Sequence, residues 1–436
     1  VTLPLYAEDQ LVAIIESDHE GPRLRYEAAW RAGSERFPIS LGMPLTSPDY
    51  GPDIVVPWLM NLLPEGDPLR AMTRALGVAR DDILGLIAET GRDLAGALTV
   101  GAPRGGAAPA YREVETAADL ERIIAELPAK PFLVGDDGVS MSLAGAQEKL
   151  PVAWRHGAVA IPVNGAPSTH ILKPDNPRLL GSVQNEALCM ALARRCGLAA
   201  AAVMTGLAGE RSYLLIDRYD REVDGDAVRR LHQEDFCQAL GRPPAAKYEH
   251  NGSGVRGPSL ADLFALVRAH MTARDINRLL DAVIFNIAIG NVDAHAKNYS
   301  IMLSTQRIEL APLYDLMSGL DWPNITQNHA HEIGGQQRGR HIYGRHWRRM
   351  AEMCGLSRPG VIRRIDAVIT RLLAGLPQAQ AEVAAMPAGP GPMLAIFAAS
   401  IQDRARLVQA NAKREGDETE APPTEPINNG RTYGDV

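Results

Sequence analysis

An α+β fold of two lobes, the first rich in strands and the second chiefly helical, is what the sequence predicts on three observations. The first hundred residues alternate short β-like runs with helices. Residues 131–240 then read as a mostly antiparallel set of strands around one helix, and from HQEDFCQALG (232–241) onward the apolar periodicity is chiefly helical. A strand-rich lobe ahead of a helical one implies a cleft between them. At 436 residues the chain has room for two or three domains with sizeable cores.

In chain order, LVAIIES and LRYEAAW read as strands, and DPLRAMTRALGV and DDILGLIAETG as helices opened by an Asp cap. These make an amino-terminal α/β subdomain over 1–105. GAPRGGAAPA (101–110) is rich in Gly, Pro and Ala, so a linker region is expected over 106–130. EKLPVAWRHGAVAIPV and THILKP then read as strands, SVQNEALCMALARRCG as an amphipathic helix, and AVMTGLAGERSYLLIDRYDR as a hairpin, filling a lobe over 131–240. The helical lobe, 241–411, is broken by the β-like pieces YSIML and RIELAPLYDL. The polar, Glu- and Pro-rich end predicts a disordered tail over 412–436.

Composition limits the function classes. With 46% hydrophobic and 22% charged residues the chain reads as globular, and a net charge of −7 argues against the whole molecule tracking a phosphate backbone unaided. No apolar run is long enough to span a bilayer, and VTLPLYAEDQ lacks the features of a signal peptide, so a cytoplasmic protein with no membrane contact is expected. The four cysteines lack zinc-like spacing and are expected to be reduced and structural.

Positions 290–298, GNVDAHAKN, follow the apolar stretch DAVIFNIAIG and place Asp, His, Lys and Asn beside a buried helix. Turns collect such residues too, but here the spacing decides. Asp293 and Asn298 stand in the D-x-x-x-x-N relation of a protein-kinase catalytic loop, and Asp315 follows a short β-like segment where kinases place a metal-binding Asp. Phosphoryl transfer needs this set: a carboxylate to orient the attacking hydroxyl and hard oxygen ligands for Mg²⁺ on the phosphates. Taken alone, Asp315 also fits an ordinary turn or capping Asp.

Upstream, THILKP carries Lys173, the only lysine between Lys149 and Lys247. A strand lysine ordinarily faces solvent, yet this one lies where a kinase presents its phosphate-pairing Lys. Glu186 in the next helix is a candidate partner for it, or equally an exposed first-turn Glu favoured by the helix dipole. Within 131–240 neither GxGxxG nor a Walker pattern occurs. The small-residue loop SMSLAGAQEK (140–149) is the candidate phosphate cradle, with Lys149 adding charge. LLIDRYDR falls where the lobes would join, so its main chain is the candidate adenine hinge.

In order and spacing, SLAGAQEKLPV, STHILKP, NEALCMALA, DRYDR, QEDFCQALG, DAHAKNYSIM and PLYDLMS resemble the HipA family of serine/threonine kinases. NLLPEGDPLRAMTRALG and ETGRDLAGAL resemble that family's amino-terminal region, so the likeness spans roughly residues 1–375. It implies a protein-kinase-like bilobal α+β fold with an extra amino-terminal subdomain, and an ATP- and Mg²⁺-dependent protein kinase. It further implies that Asp293 is the catalytic base and that Asn298 and Asp315 are the metal ligands. Lys173, the loop residues Ser142, Leu143, Ala144, Gly145, Ala146, Gln147, Glu148 and Lys149, and Asp217, Tyr219, His295 and Lys297 would face the nucleotide. The family's members are toxins paired with a HipB-like helix-turn-helix antitoxin, which binds operator DNA. The best-known protein substrate is an aminoacyl-tRNA synthetase, whose loss leads to growth arrest and persistence. In the family a loop serine is autophosphorylated and ejects the loop. Ser142 matches it, with Ser140 as the alternative in this S-x-S arrangement. At the hinge, DRY stands where the family more often has ERF. Two other classes fit parts of the chain: a small-molecule kinase, which leaves the amino-terminal motifs unexplained, and a co-repressor pseudokinase, against which the complete Lys173, Asp293, Asn298 and Asp315 set argues.

Overall fold

A computed structural model describes residues 2–101 and 108–416. Residues 102–107 of the expected linker, and the expected tail from 417 onward, lie outside the described residues. The chain forms two compact units, each assembled from three segments: Val1–Pro174, Leu207–Pro244 and Ser300–Ala311 in one, Asp175–Gly206, Ala245–Tyr299 and Pro312–Val436 in the other.

The first unit opens with β1 (Thr2–Ala7), β2 (Gln10–Asp18), β3 (Gly21–Tyr26), β4 (Asp49–Tyr50) and β5 (Leu98–Val100), paired antiparallel in the order β4-β3-β2-β1-β5. Alternation buries Leu3 and Leu5, Ala13 and Ile15, and Leu24 and Tyr26, as a one-sided sheet requires. Helices α1 (Ala28–Ala32), α2 (Pro52–Met60), α3 (Gly66–Leu76) and α4 (Ile83–Thr90) belong to this part of the chain. The expected Asp cap is found on α4, where the Asp82 side chain accepts from Gly85 N at 2.8 Å. On α3 the cap position is instead Glu65, and Asp67 sits inside the first turn, paired with Arg70.

The second sheet joins β6 (Ala110–Glu113), β7 (Leu150–Arg155), β8 (Ala158–Val163), β9 (His170–Pro174), β10 (Val203–Ala208) and β11 (Arg211–Asp217) in the order β10-β11-β9-β7-β8-β6. The described part of the expected linker, 108–130, is therefore no linker: β6 edges this sheet and α5 (Ala117–Glu126) follows it. Thr116 caps α5 by accepting from Asp119 N at 3.1 Å, and Leu120, Ile124 and Leu127 bury one face. That helical signal stood beside a Gly- and Pro-rich stretch that masked it. A hairpin of β12 (Arg221–Asp224) and β13 (Ala227–Arg230) follows. A third sheet pairs β14 (Gln233–Asp235) with β15 (Ser300–Leu303) and β16 (Ile308–Leu310). The two β-like pieces expected inside the helical lobe thus belong with the strands.

The second unit holds α6 (Ser182–Arg195), α8 (Leu260–His270), α9 (Ala273–Ile289), α10 (Gly344–Met353), α11 (Arg358–Ala384) and α12 (Pro392–Ala412), while the short α7 (Phe236–Ala239) stays with the first. Helix α6, expected in the strand-rich lobe as an amphipathic helix, is buried on nearly every face because α11 and α12 both pack on it. Helix α9 carries a Thr272/Asp275 capping box, is buried from Leu279 to Ile289, and ends at Gly290. Gly290 has φ +72, a conformation that suits glycine. Where the expected tail begins, α12 continues to Ala412, and Gly344 N donates to Arg414 O at 2.8 Å. All four cysteines are free and buried, and burial pushes the Cys196 thiol up to about 12, as expected of structural thiols. Among the described residues no helix is long and apolar enough to cross a membrane.

Candidate active site

The polar cluster after α9 is a hydrogen-bonded loop. Asn286, in the last turns of the helix, receives Asn291 Nδ2 at 3.0 Å, and Asn291 Oδ1 accepts from Asp293 N at 3.2 Å. Asn298 Nδ2 donates back to Asp293 O at 2.8 Å, so the side chain five residues beyond the D-x-x-x-x-N start closes the turn on its own aspartate. Amide use of Nδ2 leaves Oδ1 as the oxygen that Asn298 can offer a cation. Asp293, His295, Lys297 and Asn298 are all under a tenth exposed. Tyr248, which the sequence reading did not select, donates its hydroxyl to Asp293 Oδ1 and sets its ring edge-on to His295 at 5.0 Å between centroids. Burial first, then the charges of Lys247 and Lys297, hold His295 well below its ordinary pKa, so its ring is neutral.

Asp315 reaches the same loop through its neighbour. Tyr314 donates its hydroxyl to Lys297 O at 2.6 Å, placing the residue before Asp315 against the residue before Asn298. On the other side, Leu313 N donates to Ala199 O at 2.8 Å, and Ser318 N to Asn185 Oδ1 at 2.7 Å, which anchors the segment on both flanks of Asp315. Asp315 itself has φ +56, uncommon for a residue with a side chain and most often seen where surroundings enforce it. Its carboxylate and Asn298 Oδ1 are hard oxygen donors, and this donor set fits Mg²⁺.

In the first unit, Lys173 lies mid-strand in β9, opposite Leu214 of β11, and is 6% exposed. The solvent-facing alternative is therefore excluded. Glu186, in the second unit, is 2% exposed, which excludes the exposed first-turn alternative as well. The loop 142–149 is tied at three points. Ser142 N donates to Asp93 O at 3.1 Å, its Oγ donates to Leu62 O at 2.9 Å, and Glu65 N donates to Gly145 O at 3.0 Å. Ser142 is fully buried, whereas the partly buried Ser140 donates its Oγ to Glu89 O at 2.7 Å. Gly145, at φ +105, allows the bend, and Lys149 Nζ closes it by donating to Ala144 O at 2.8 Å.

The DRYDR stretch holds a network that the sequence reading passed over. Asp217 is exposed and pairs with His170 at 2.9 Å, and Tyr219 donates to Gln233 Oε1 at 2.6 Å. Between and after them, Arg218 and Arg221 turn inward to Asp93, at 3.3 and 2.9 Å, and Ser168 Oγ donates to the same carboxylate at 2.5 Å. Asp220 bridges both guanidiniums and accepts from Gly96 N at 2.7 Å. Burial alone would raise the Asp93 carboxyl, but Arg221 and Arg218 hold it below its usual range. Alternating charge in DRYDR was the available signal; the partner in GRDLAGAL is too distant in sequence to be paired by spacing.

Comparison with known proteins gives this geometry its setting. The family model for the HipA N-terminal domain matches residues 3–101, and that for the HipA-like C-terminal domain matches residues 141–376. The chain belongs to the HipA family. A curated relative, the putative kinase Y4mE of Sinorhizobium fredii, is 37% identical over 84% of this chain and 89% of its own length. The serine/threonine-protein kinase toxin HipA of Shewanella oneidensis is 32% identical over 88% of this chain and 90% of the relative. The Shewanella oneidensis HipA solved with HipB and operator DNA superposes with a TM-score of 0.80 at 28% identity, over 94% of this chain and 97% of that one. The HipA fold, a kinase-like α+β fold, is thus established for the chain, and as a HipA kinase it works with ATP and a divalent cation.

Proposed function

We propose that the protein is a HipA-like toxin, an ATP-dependent serine/threonine protein kinase that phosphorylates a cellular protein such as an aminoacyl-tRNA synthetase and thereby arrests growth. The observation that carries this reading is the locked turn in which Asn298 Nδ2 holds Asp293 O at 2.8 Å while Tyr248 holds the Asp293 carboxylate. Asp293 orients the substrate hydroxyl and accepts its proton as the γ-phosphoryl group transfers. Asn298 and Asp315 hold Mg²⁺, which neutralises charge on the phosphates when bound. Lys173 pairs the phosphates. Residues 142–149 cradle the phosphates through main-chain N–H groups, aided by Lys149, with His295 and Lys297 bordering the nucleotide. Adenine meets the main chain near Asp217 and Tyr219. A kinase already burying a full set of ionisable residues has kept the costly part of the machinery, which favours catalysis over a co-repressor role alone.

Regulation follows from the loop. Ser142 is proposed as the autophosphorylation site, since a phosphate of about −1.5 to −2 charge has no room where the hydroxyl now donates to Leu62 O. The Shewanella oneidensis HipA was solved with HipB and operator DNA, and a HipB-like antitoxin is proposed as this chain's partner, bringing operator DNA indirectly. The test is to express Asp293→Asn beside wild type and incubate each with γ-labelled ATP and lysate. Wild type is expected to arrest growth and label a small set of proteins at Ser or Thr, and the variant to do neither while keeping its fold. A variant that arrests cells as well as wild type overturns the assignment.

A further inference from the structure

A second cluster of ligand-type side chains lies just beyond Tyr248. Glu249, His250 and Glu332 each bring one ligand atom within 4.8 Å of the others. The main chain builds this arrangement: Glu249 N donates to Ala330 O at 3.3 Å, and Glu332 N donates to Glu249 Oε2 at 2.8 Å. His250 Nε2 stands 2.9 Å from Glu332 Oε1. As an ion pair the last contact explains little, because the two side chains are 59% and 32% exposed and water screens such pairs.

Behind the cluster stands His331, 5% exposed, with Nδ1 3.9 Å from Glu249 Oε2. Neither of its ring nitrogens has a hydrogen bond of normal geometry, and the Pro258 carbonyl is the backbone group that faces it. Buried polar groups are nearly always satisfied, so an imidazole held this way beside a carboxylate calls for a ligand.

We propose that Glu249, His250 and Glu332, backed by His331, form a binding site for one borderline transition-metal cation of the Zn²⁺ type. Imidazole nitrogens mixed with carboxylate oxygens suit Zn²⁺, whereas Mg²⁺ prefers oxygen donors alone. The site is separate from the Asn298 and Asp315 pair. Because Glu249 follows Tyr248, a cation there clamps the main chain next to the residue that holds Asp293.

The experiment is a calorimetric titration of the full chain with Zn²⁺, in Mg²⁺ excess so that Asn298 and Asp315 are already served. Wild type is expected to bind one equivalent, and His250→Ala and Glu332→Gln each to weaken it by about tenfold or more. His331→Ala should do the same. Should that variant fail to fold, the two surface substitutions decide the matter, with circular dichroism melts confirming that they are intact. His156→Ala, an exposed histidine in the β7–β8 turn, should leave binding unchanged. Substitution with Co²⁺ should give visible bands that His250→Ala loses. Absence of a stoichiometric Zn²⁺ site in wild type, or equal binding by wild type, His250→Ala and Glu332→Gln, overturns the proposal.

Discussion

Tyr248→Phe tests whether the catalytic loop depends on a residue outside the D-x-x-x-x-N pattern. The substitution keeps the ring and its edge contact with His295 but deletes the hydroxyl that donates to Asp293 Oδ1. Asp293 is 7% exposed, so water replaces that donor poorly. Hydrogen bonds to charged groups contribute about 1.5–3 kcal/mol, which corresponds to about tenfold to 150-fold in rate if the loss appears in the transition state. The main chain of the loop keeps its ties, because Asn298 Nδ2 and Asn291 Oδ1 bind backbone atoms of Asp293 rather than its carboxylate. The expected outcome is therefore a fall in kcat of about tenfold to 100-fold with the KM for ATP nearly unchanged, the pattern of a lost transition-state interaction. Steady-state transfer from labelled ATP to a mapped protein substrate measures it, with a thermal melt to confirm the fold. An unchanged kcat refutes the positioning role. A raised kcat refutes it differently, by showing that Tyr248 competes with the substrate hydroxyl for the carboxylate.

Asp315→Ala should weaken Mg·ATP binding as well as turnover, and nucleotide titrations with and without Mg²⁺ measure this; equal Mg·ATP affinity in variant and wild type counts against Asp315 as a ligand. Ser142→Asp should lower ATP affinity and toxicity, and mass spectrometry after ATP incubation should find phosphate on Ser142. Phosphate on Ser140 alone, or normal ATP binding by the Ser142-phosphorylated form, defeats the switch. Glu234 is fully buried in β14, accepts from Leu41 N at 2.7 Å, and is raised by burial to about 8. Since its folded pKa lies above the unfolded carboxylate value, its contribution to stability is complete below about pH 4.5 and is lost as pH rises through about 8. Melting temperatures of wild type should therefore drop between those pH values more steeply than those of Glu234→Gln, and parallel curves refute the assignment.

Legibility followed range. Elements whose signal is local were readable: the alternation in β2 and β3, the apolar run of α9, and the Asp82 cap of α4. The turn after α9 was readable because five residues of spacing bring Asn298 back onto Asp293. What escaped depends on partners far along the chain. The surroundings of α6 come from α11 and α12, nearly two hundred residues away, and no periodicity within fourteen residues announces them. Tyr248 meets Asp293 across 45 positions, and Asp93 meets Arg218 across 125. α5 was missed for the opposite reason: its Thr116 cap and its Leu120 and Ile124 stripe were local, but the neighbouring glycines were weighted above them.

The Asp93 network also bears on how the protein can be dissected. The two family matches end at residue 101 and begin at residue 141, which invites cutting the chain between them to obtain a minimal kinase. Such a fragment would leave Arg218 and Arg221, whose side chains are 2% and 0% exposed, without the carboxylate that Asp93 supplies. Removing one partner from a buried ion pair costs about 3–5 kcal/mol, a large share of what holds a domain folded. The cut would also strip Leu62, Glu65 and Asp93 from the loop at 142–145. The gap between the matches is not a folding boundary, because one compact unit runs across it.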